Sequence, residues 1–132
     1  MKLRYIRLIN FKQFYGEQIA DFSTEPDLNV TVFHGLNGTG KTSLFMAINW
    51  CLYGIGDEGT GELLNKQTLE EALEGSRSPV VVTIGFKHNK VEYIAERVKY
   101  FTKTGENANP GEIEFSLSHI DRLGQQQMIS NP

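Results

Sequence analysis

Residues 35–42 read Gly-Leu-Asn-Gly-Thr-Gly-Lys-Thr, and this stretch decides how the chain around it folds. The run fits G-x-x-x-x-G-K-[ST], the pattern of a loop that binds phosphate through its own backbone. Glycines let such a loop turn sharply and approach an anion without a Cβ in the way. Successive amide groups then form a nest for the anion, backed by the positive end of the helix that follows. The motif therefore predicts a nucleotide site.

The residues of the motif have separate predicted roles. Lys41 places a compact charge on the β- and γ-phosphates and is the predicted catalytic residue, and the Thr42 hydroxyl is the predicted ligand of Mg²⁺. Ser43 is expected near the α-phosphate, and the alternative for both hydroxyls is helix capping. A lysine at a helix start opposes the helix dipole, so a bound anion explains Lys41 better than an ordinary surface position does. The phosphate-binding set is Gly35, Asn37, Gly38, Thr39, Gly40, Lys41, Thr42 and Ser43.

The flanking sequence supplies the context that this motif requires. Residues 29–34 are rich in β-branched side chains, as a buried strand would be. Residues 42–53 carry apolar side chains at helical spacing, and Gly54 stands where a helix is expected to stop. Strand, glycine loop and helix follow one another in the required order. The alternative is a glycine-rich turn with no ligand, between a strand and a core helix.

The composition limits the classes of protein to which the chain can belong. A length of 132 residues suits one domain with one core, and 39% hydrophobic residues is ordinary for a globular protein. The net charge of −3 gives no general basic field to attract nucleic acid. The lone cysteine, Cys51, is predicted to be a core residue in a reducing, cytoplasmic setting. We expect no membrane span and no signal peptide, because no apolar run is long enough and the first seven residues are charged.

Several short stretches alternate between apolar and polar residues. The predicted strands form two hairpins and one further half-exposed strand: residues 3–11 with 18–22, residues 80–86 with 91–101, and residues 113–120. With the strand before the phosphate loop, roughly six strands surround one long helix. Strand and helix do not alternate as in a compact kinase or GTPase, so the predicted fold class is α+β.

The remaining segments are predicted to be irregular or only briefly helical. Residues 54–61 form a glycine-rich surface loop, and residues 62–64 and 68–73 form short helical pieces. Thr68 is the predicted N-cap of the second piece, because Glu71 follows three residues later. Polar loops are expected at residues 23–27 and 102–111, and a polar, weakly patterned tail at residues 124–132.

Three stretches resemble the start of SMC-like ATPases, a group that includes double-strand-break repair ATPases, RecF, RecN, chromosome condensation proteins and DndD. Residues 9–14 resemble their N-F-[RK] segment, residues 32–43 their G-x-N-G-x-G-K-[ST]-[ST] loop, and residues 47–54 their A-I-x-x-x-L-Y-G helix end. The Leu-Tyr-Gly ending and the following Leu64-Asn65 are similar to the DndD branch, which acts in DNA phosphorothioation. The resemblance is good over residues 1–86 and covers the later strands in outline.

The resemblance implies an ABC-type ATPase head built from two lobes. The N-terminal lobe carries the phosphate loop, a coiled coil follows, and the C-terminal lobe brings the signature motif and the Walker B acids. The sequence has no apolar strand ending in Asp-Glu, no signature motif and no heptads, so residues 1–132 are expected to be the N-terminal lobe as a fragment. Implied cofactors are ATP and Mg²⁺. Implied partners are the chain's own C-terminal lobe, a second head in an ATP-dependent homodimer, and DNA through the full-length complex in the nucleoid.

The resemblance also implies a nucleotide role for two residues outside the motif. Lys12 stands where relatives place a basic residue against the phosphates, with an ordinary strand-end lysine as the alternative. Gln13 is a weaker candidate beside it. Relatives carry a glutamine in a loop between the lobes, but no apolar strand precedes residues 125–127, so a solvated polar tail is the preferred interpretation of that glutamine run.

Two clusters of basic residues allow a DNA-facing patch: Arg97, Lys99 and Lys103 in one strand, and Lys2, Arg4 and Arg7 in another. A solvated face is the preferred interpretation of both. His34 is taken as a simple strand residue. Residues 65–68, Asn-Lys-Gln-Thr, miss the aspartate of the guanine-reading motif, which counts against a GTPase.

Three functions are compatible with the sequence. The first is the ATP-binding lobe of an SMC-like ATPase in DNA repair, restriction or phosphorothioation-linked defence, with hydrolysis that needs the second lobe and a head dimer. The second is a nucleotide-gated dimerisation module that holds ATP without hydrolysing it. The third, a P-loop kinase or GTPase, is disfavoured by the missing guanine motif and the many hairpins.

Overall fold

A computed structural model describes residues 2–22, 38–57 and 62–130 of the chain, with the backbone alone for residues 38–43 and 130. The predicted strand at 29–34, His34, the loop at 23–27 and the first half of the phosphate loop lie outside these residues. Within the described ranges there are two helices and six strands: β1 (Lys2–Ile9), β2 (Glu17–Asp21), α1 (Gly38–Tyr53), α2 (Lys66–Glu71), β3 (Arg77–His88), β4 (Val91–Thr104), β5 (Asn107–Ile120) and β6 (Gln126–Ser130).

The six described strands form one antiparallel sheet in the order β2-β1-β3-β4-β5-β6. Both predicted hairpins are confirmed, since β1 pairs with β2 and β3 pairs with β4. The second hairpin turns at Asn89 and Lys90, whose φ angles of 51° and 66° match the two left-handed positions of a tight hairpin turn. The α+β class therefore holds in coarse form, as a mostly antiparallel sheet with two short helices.

The predicted polar loop at residues 102–111 is wrong. β4 continues to Thr104, β5 begins at Asn107, and the turn between them is only two residues long, with Gly105 at φ 61°. Pro110 lies opposite Phe101 of β4, on a part of β5 that β6 does not cover, because β6 pairs with β5 only from Leu117 onward. Proline is tolerated in sheets at such edge positions, where no second neighbouring strand needs its N–H. The residues that indicated a loop therefore lie on a sheet edge.

The predicted polar tail is also wrong for residues 126–130, which form β6. The strand pairs with the end of β5, and the Gln126 side chain donates from Nε2 to Oγ of Ser118 over 2.6 Å. The residues of β6 whose side chains are described are exposed, so the sequence lacks the apolar alternation that marks a half-buried strand. Gln126 and Gln127 of the glutamine run belong to this strand, where main-chain pairing supplies the order.

Helix α1 lies across one face of the sheet and forms the core with it. Leu44, Ala47, Trp50 and Cys51 are buried at helical spacing and face the β-branched residues of β3. Cys51 has no exposed surface and its Sγ lies 3.3 Å from the carbonyl oxygen of Val82, so its predicted core position is confirmed. The central strand β3 is buried on both faces from residue 80 to residue 84. No helix in the described ranges is long and apolar enough to cross a membrane.

The basic residues of β4 do not form a solvated face. Lys99 is 4% exposed, and its Nζ lies 2.5 Å from Oδ2 of Asp57, in the segment after α1. Lys103 donates from Nζ to the carbonyl oxygen of Ala72 over 2.9 Å. Arg97 donates to the main chain of α1. The preferred interpretation is therefore wrong for Lys99, and all three cations serve contacts within the chain rather than a DNA-facing patch.

The buried pair of Lys99 and Asp57 gives a test of this packing. Asp57→Asn leaves a buried ammonium without its counter-charge, so the free energy of unfolding should fall by about 3–5 kcal/mol. The matched control is Glu17→Gln, which breaks the exposed pair with Arg7 and should cost less than about 1 kcal/mol. Urea denaturation measures both values, and equal losses for the two variants would contradict the structure.

Candidate functional site

The start of α1 is the part of the predicted phosphate loop that the structure describes. The helical backbone begins at Gly38, four residues before the predicted start of the helix at residue 42. The first four amide groups of a helix have no acceptor within it, so the first turn directs its donors at whatever precedes the helix. α1 carries no acidic residue in that turn to compete for them. The backbone from Gly38 to Lys41 therefore has the polarity that an anion requires.

The other end of α1 is stabilised by a cation from the sheet. The helix has no basic residue in its own last turn. Arg97 of β4 instead donates from Nε to the carbonyl oxygen of Cys51 over 3.1 Å, and its guanidinium lies 4.7 Å from the centre of the Phe115 ring. Gly54 ends the helix at φ 70°, and a Cβ there would lie 3.7 Å from Cζ of Arg97. No local sequence pattern predicts this contact, because it joins residues 46 positions apart.

The segment after β1 contains two non-glycine residues in the left-handed region, Asn10 at φ 55° and Lys12 at φ 50°. Asparagine adopts this region readily, whereas the conformation costs a lysine about 1–3 kcal/mol and persists only where surrounding contacts hold it. The amide of Lys12 donates to the carbonyl oxygen of Leu63 over 2.7 Å, and its own carbonyl oxygen accepts from Nδ2 of Asn65 over 2.8 Å. Both main-chain groups of Lys12 are therefore tied to the segment that follows α1.

The neighbouring residue joins this turn to the helix itself. Phe11 is fully buried, and its ring centre lies 5.9 Å from that of Trp50 in α1. It also forms an isolated bridge with Leu64, which means that the predicted helical piece at residues 62–64 is wrong. Phe11 thus contacts both α1 and the segment that follows it, and Lys12 is the next residue in the chain.

Of the predicted nucleotide residues outside the motif, Lys12 is half-buried and Gln13 is exposed. Nζ of Lys12 lies 6.0 Å from the centre of the Phe11 ring. The side chains of Lys41, Thr42 and Ser43 lie outside the described residues, as do Gly35 and Asn37. The nucleotide roles of all these residues therefore stay predictions.

Helix α2 is capped by Asn65, and the predicted N-cap at Thr68 is wrong. Oδ1 of Asn65 accepts from the amide of Thr68 over 3.0 Å. The Thr68 hydroxyl donates to Oδ1 of Asn10 over 3.0 Å instead of capping. The sequence patterns above single out neither asparagine for such a role. A signal was present for Asn65, since asparagine is among the best N-caps and stands three residues before the amide that it accepts from.

An open cavity of about 340 Å³ lies beside this network, and Asn10, Tyr15, Thr68 and Glu71 are among the residues that line it. The hydroxyl of Tyr15 donates to Oε1 of Glu71. This hydrogen bond raises the pKa of Tyr15 and, together with one from Gln67, lowers the pKa of Glu71. A neutral phenol therefore faces an ionised carboxylate at neutral pH. No group of three or more His, Cys, Asp or Glu side chains that could hold a metal ion occurs within residues 2–22, 44–57 and 62–129. The role of Thr42 as a ligand of Mg²⁺ stays a prediction.

Comparison with known proteins shows the family. A model of the AAA domain matches residues 5–132. The chain belongs to the AAA domain family. This family implies nucleotide binding, which confirms the motif's main prediction at that level, and it makes the fold an AAA-type P-loop domain.

Two relatives show which proteins the chain is similar to. The chain is 30% identical over 105 residues to a subunit of the nuclease SbcCD from Staphylococcus aureus strain MRSA252, covering 80% of this chain and 10% of that protein. It is 33% identical over 97 residues to the DNA double-strand break repair Rad50 ATPase of Halobacterium salinarum, covering 74% of this chain and 10% of that protein. The chain thus spans about a tenth of the length of these relatives. The predicted similarity to SMC-like ATPases of the break-repair type is confirmed in this distant, partial form.

The buried thiol of Cys51 gives a test of how firmly α1 packs against the sheet. Burial raises its pKa from 9.0 to about 12, so below pH 9 the folded protein should hold about a thousandfold less thiolate than the unfolded chain. The pKa of Cys51 is higher in the folded protein than in the unfolded chain, so folding favours the neutral thiol. The stability that burial of the neutral thiol contributes is therefore complete below about pH 9 and is lost as the pH rises toward 12.

A thiol reagent that forms a coloured product measures this directly, because Cys51 is the single cysteine of the sequence. Labelling at pH 8 should be slow in buffer and fast in urea. A labelling rate in buffer within about tenfold of the rate in urea would show that α1 is not seated against the sheet as described.

Proposed function

We propose that this chain is the ATP-binding lobe of an SMC-like ATPase that acts in DNA double-strand-break repair. The observation that carries the proposal is the phosphate-loop motif at residues 35–42, placed at the start of α1 in a chain of the AAA domain family. An anion at this helix start meets a run of main-chain amides and the positive end of the helix dipole. A nucleotide polyphosphate is the ligand that fits both.

Each residue of the proposed site has one task. The amides from Asn37 to Thr42 bind the phosphates, and the Lys41 ammonium holds the β- and γ-phosphates. The Thr42 hydroxyl would hold Mg²⁺, which would screen charge between the phosphates when bound. Lys12, with Gln13 beside it, approaches the phosphates from the end of β1. Its main chain is held by the segment after α1, which supports a fixed position.

Hydrolysis needs a group that this chain lacks. Phosphoryl transfer to water depends on a residue that orients the attacking water and on charge that stabilises the transition state. The sequence has no Walker B acids and no signature motif. We therefore propose that residues 1–132 are the N-terminal lobe, completed by a C-terminal lobe and by a second head. The matched region is 10% of each relative, which supports a larger whole protein.

The names of the relatives favour repair over the other DNA-linked functions. One is a subunit of a nuclease and the other is a double-strand break repair ATPase. The phosphorothioation branch rests only on the resemblance at residues 52–54 and 64–65, and restriction has no separate support. We accordingly place contact with broken DNA in the full-length complex rather than on this chain, whose β4 cations have internal partners.

The alternative is a module that binds ATP and dimerises without hydrolysing it, which the missing Walker B acids favour. A GTPase is less consistent with the structure. In the near-match to the guanine motif, the Asn65 side chain is buried and occupied by Lys12 and Thr68, so it does not face a base.

Lys41→Ala tests the phosphate site. Removing a charge-assisted hydrogen bond to phosphate should weaken Mg²⁺–ATP binding about 10- to 100-fold, measured by isothermal titration calorimetry. The control is Lys87→Ala, which removes the same charge from an exposed position of β3 and should bind as the unaltered chain does. Equal affinity of the Lys41 variant and the unaltered chain would exclude the site.

The missing carboxylate predicts that the 132-residue chain releases almost no phosphate from ATP, even when saturated. A phosphate-release assay at saturating Mg²⁺–ATP measures this, with Lys41→Ala as the background. Steady turnover that Lys41→Ala abolishes and Lys87→Ala retains would show that the chain carries its own hydrolytic residue. The lobe proposal would then be wrong.

A further inference from the structure

The side chain of Asn65 holds the turn at Lys12 directly. Asn65 is 5% exposed, and both ends of its amide are used. Oδ1 caps α2 by accepting from the Thr68 amide, and Nδ2 donates to the Lys12 carbonyl oxygen over 2.8 Å. The cap fixes the orientation of the amide plane, so the donor is aimed at Lys12 before any ligand arrives.

The main chain of Asn65 adds a second connection to the same turn. Its amide donates to the carbonyl oxygen of Asn10 over 2.8 Å. Asn10 is itself fixed from two further sides, since its Nδ2 donates to the carbonyl oxygen of Pro79 and its Oδ1 accepts from the amide of Gly16. The two left-handed residues are therefore held by contacts from β3, from the β1–β2 connection and from the segment after α1.

Such contacts overdetermine a strained backbone, which is the circumstance in which left-handed non-glycine residues persist. The left-handed region is unfavourable for lysine, whereas glycine could form the same turn between β1 and β2 without strain. The Lys12 side chain starts from this fixed backbone, and its Nζ lies 6.0 Å from the centre of the Phe11 ring. Phe11 packs against Trp50 and so connects the turn to α1.

We propose that Asn65 is a positioning residue for the nucleotide site. By holding the main chain of Lys12 in the left-handed conformation, it sets the direction from which the Lys12 ammonium meets the phosphates of the bound nucleotide. Asn65 touches no phosphate itself. This inference rests on the proposed ATP-binding function and on the predicted role of Lys12.

Asn65→Ser separates the two tasks of the asparagine. Serine is a good N-cap, so α2 is retained, but its hydroxyl is too short to reach the Lys12 carbonyl oxygen. Loss of this one hydrogen bond should lower the affinity for Mg²⁺–ATP about two- to tenfold, by calorimetry at a temperature where circular dichroism shows the variant folded. In a Lys12→Ala background the same substitution should change affinity less than about twofold, because the group that it positions is gone.

The control is Thr83→Val, which removes a hydrogen bond to Glu96 from the sheet face opposite α1 and should leave ATP affinity unchanged. The inference is overturned if Asn65→Ser lowers affinity equally with and without Lys12, if it has no effect, or if Lys12→Ala has none. Lys41→Ala keeps the two proposals apart. If ATP binding depends on Lys41 but not on the pairing of Asn65 with Lys12, the nucleotide site stands and the positioning role fails.

Discussion

The structure depends on the burial of one face of α1 against an antiparallel sheet. Ala47, Trp50 and Cys51 are between 0% and 1% exposed, and their partners come from strands far along the chain. Apolar burial is strong but without direction, so polar contacts set the position of the helix along the sheet. Arg97 holds the last turn, and the buried pair of Lys99 with Asp57 holds the segment beyond it. Because α1 is one continuous helix, these contacts at its C-terminal end also fix the position of its N-terminal end.

This arrangement connects packing to function. A helix whose C-terminal end is held by a cation from the sheet is positioned from that end, which suits a helix whose N-terminal amides bind a ligand. Preorganised donors bind an anion without being rearranged, which retains more of the binding energy. The turn at Lys12 follows the same logic. Its strained backbone is held by Asn65 and by main-chain contacts, so a flexible side chain starts from a fixed point.

Sequence patterns predicted local features well where one physical preference dominated. The glycine motif indicated that a helix follows it, although α1 begins at Gly38 rather than at residue 42. β-branched alternation indicated both hairpins, and an apolar helix face indicated buried Cys51. Prediction failed where a distant partner decided the outcome. Asn-Pro-Gly at residues 109–111 signals a loop, but a sheet edge tolerates it. The polar strand β6 lacks alternation because its described side chains are exposed. Lys99 has the sequence context of a surface cation, and only the fold brings it to Asp57, 42 residues earlier.

The central claim is that main-chain amides at the start of α1 bind a nucleotide's phosphates. Nuclear magnetic resonance titration of the ¹⁵N-labelled chain with Mg²⁺–ATP tests this most directly, because it observes each amide separately. If the claim holds, the largest and saturable shifts occur at residues 37–42, with smaller ones at Lys12, and Mg²⁺–ADP gives weaker shifts at Lys12. Shifts confined to other parts of the sheet, or no saturable change at residues 37–42, would contradict it.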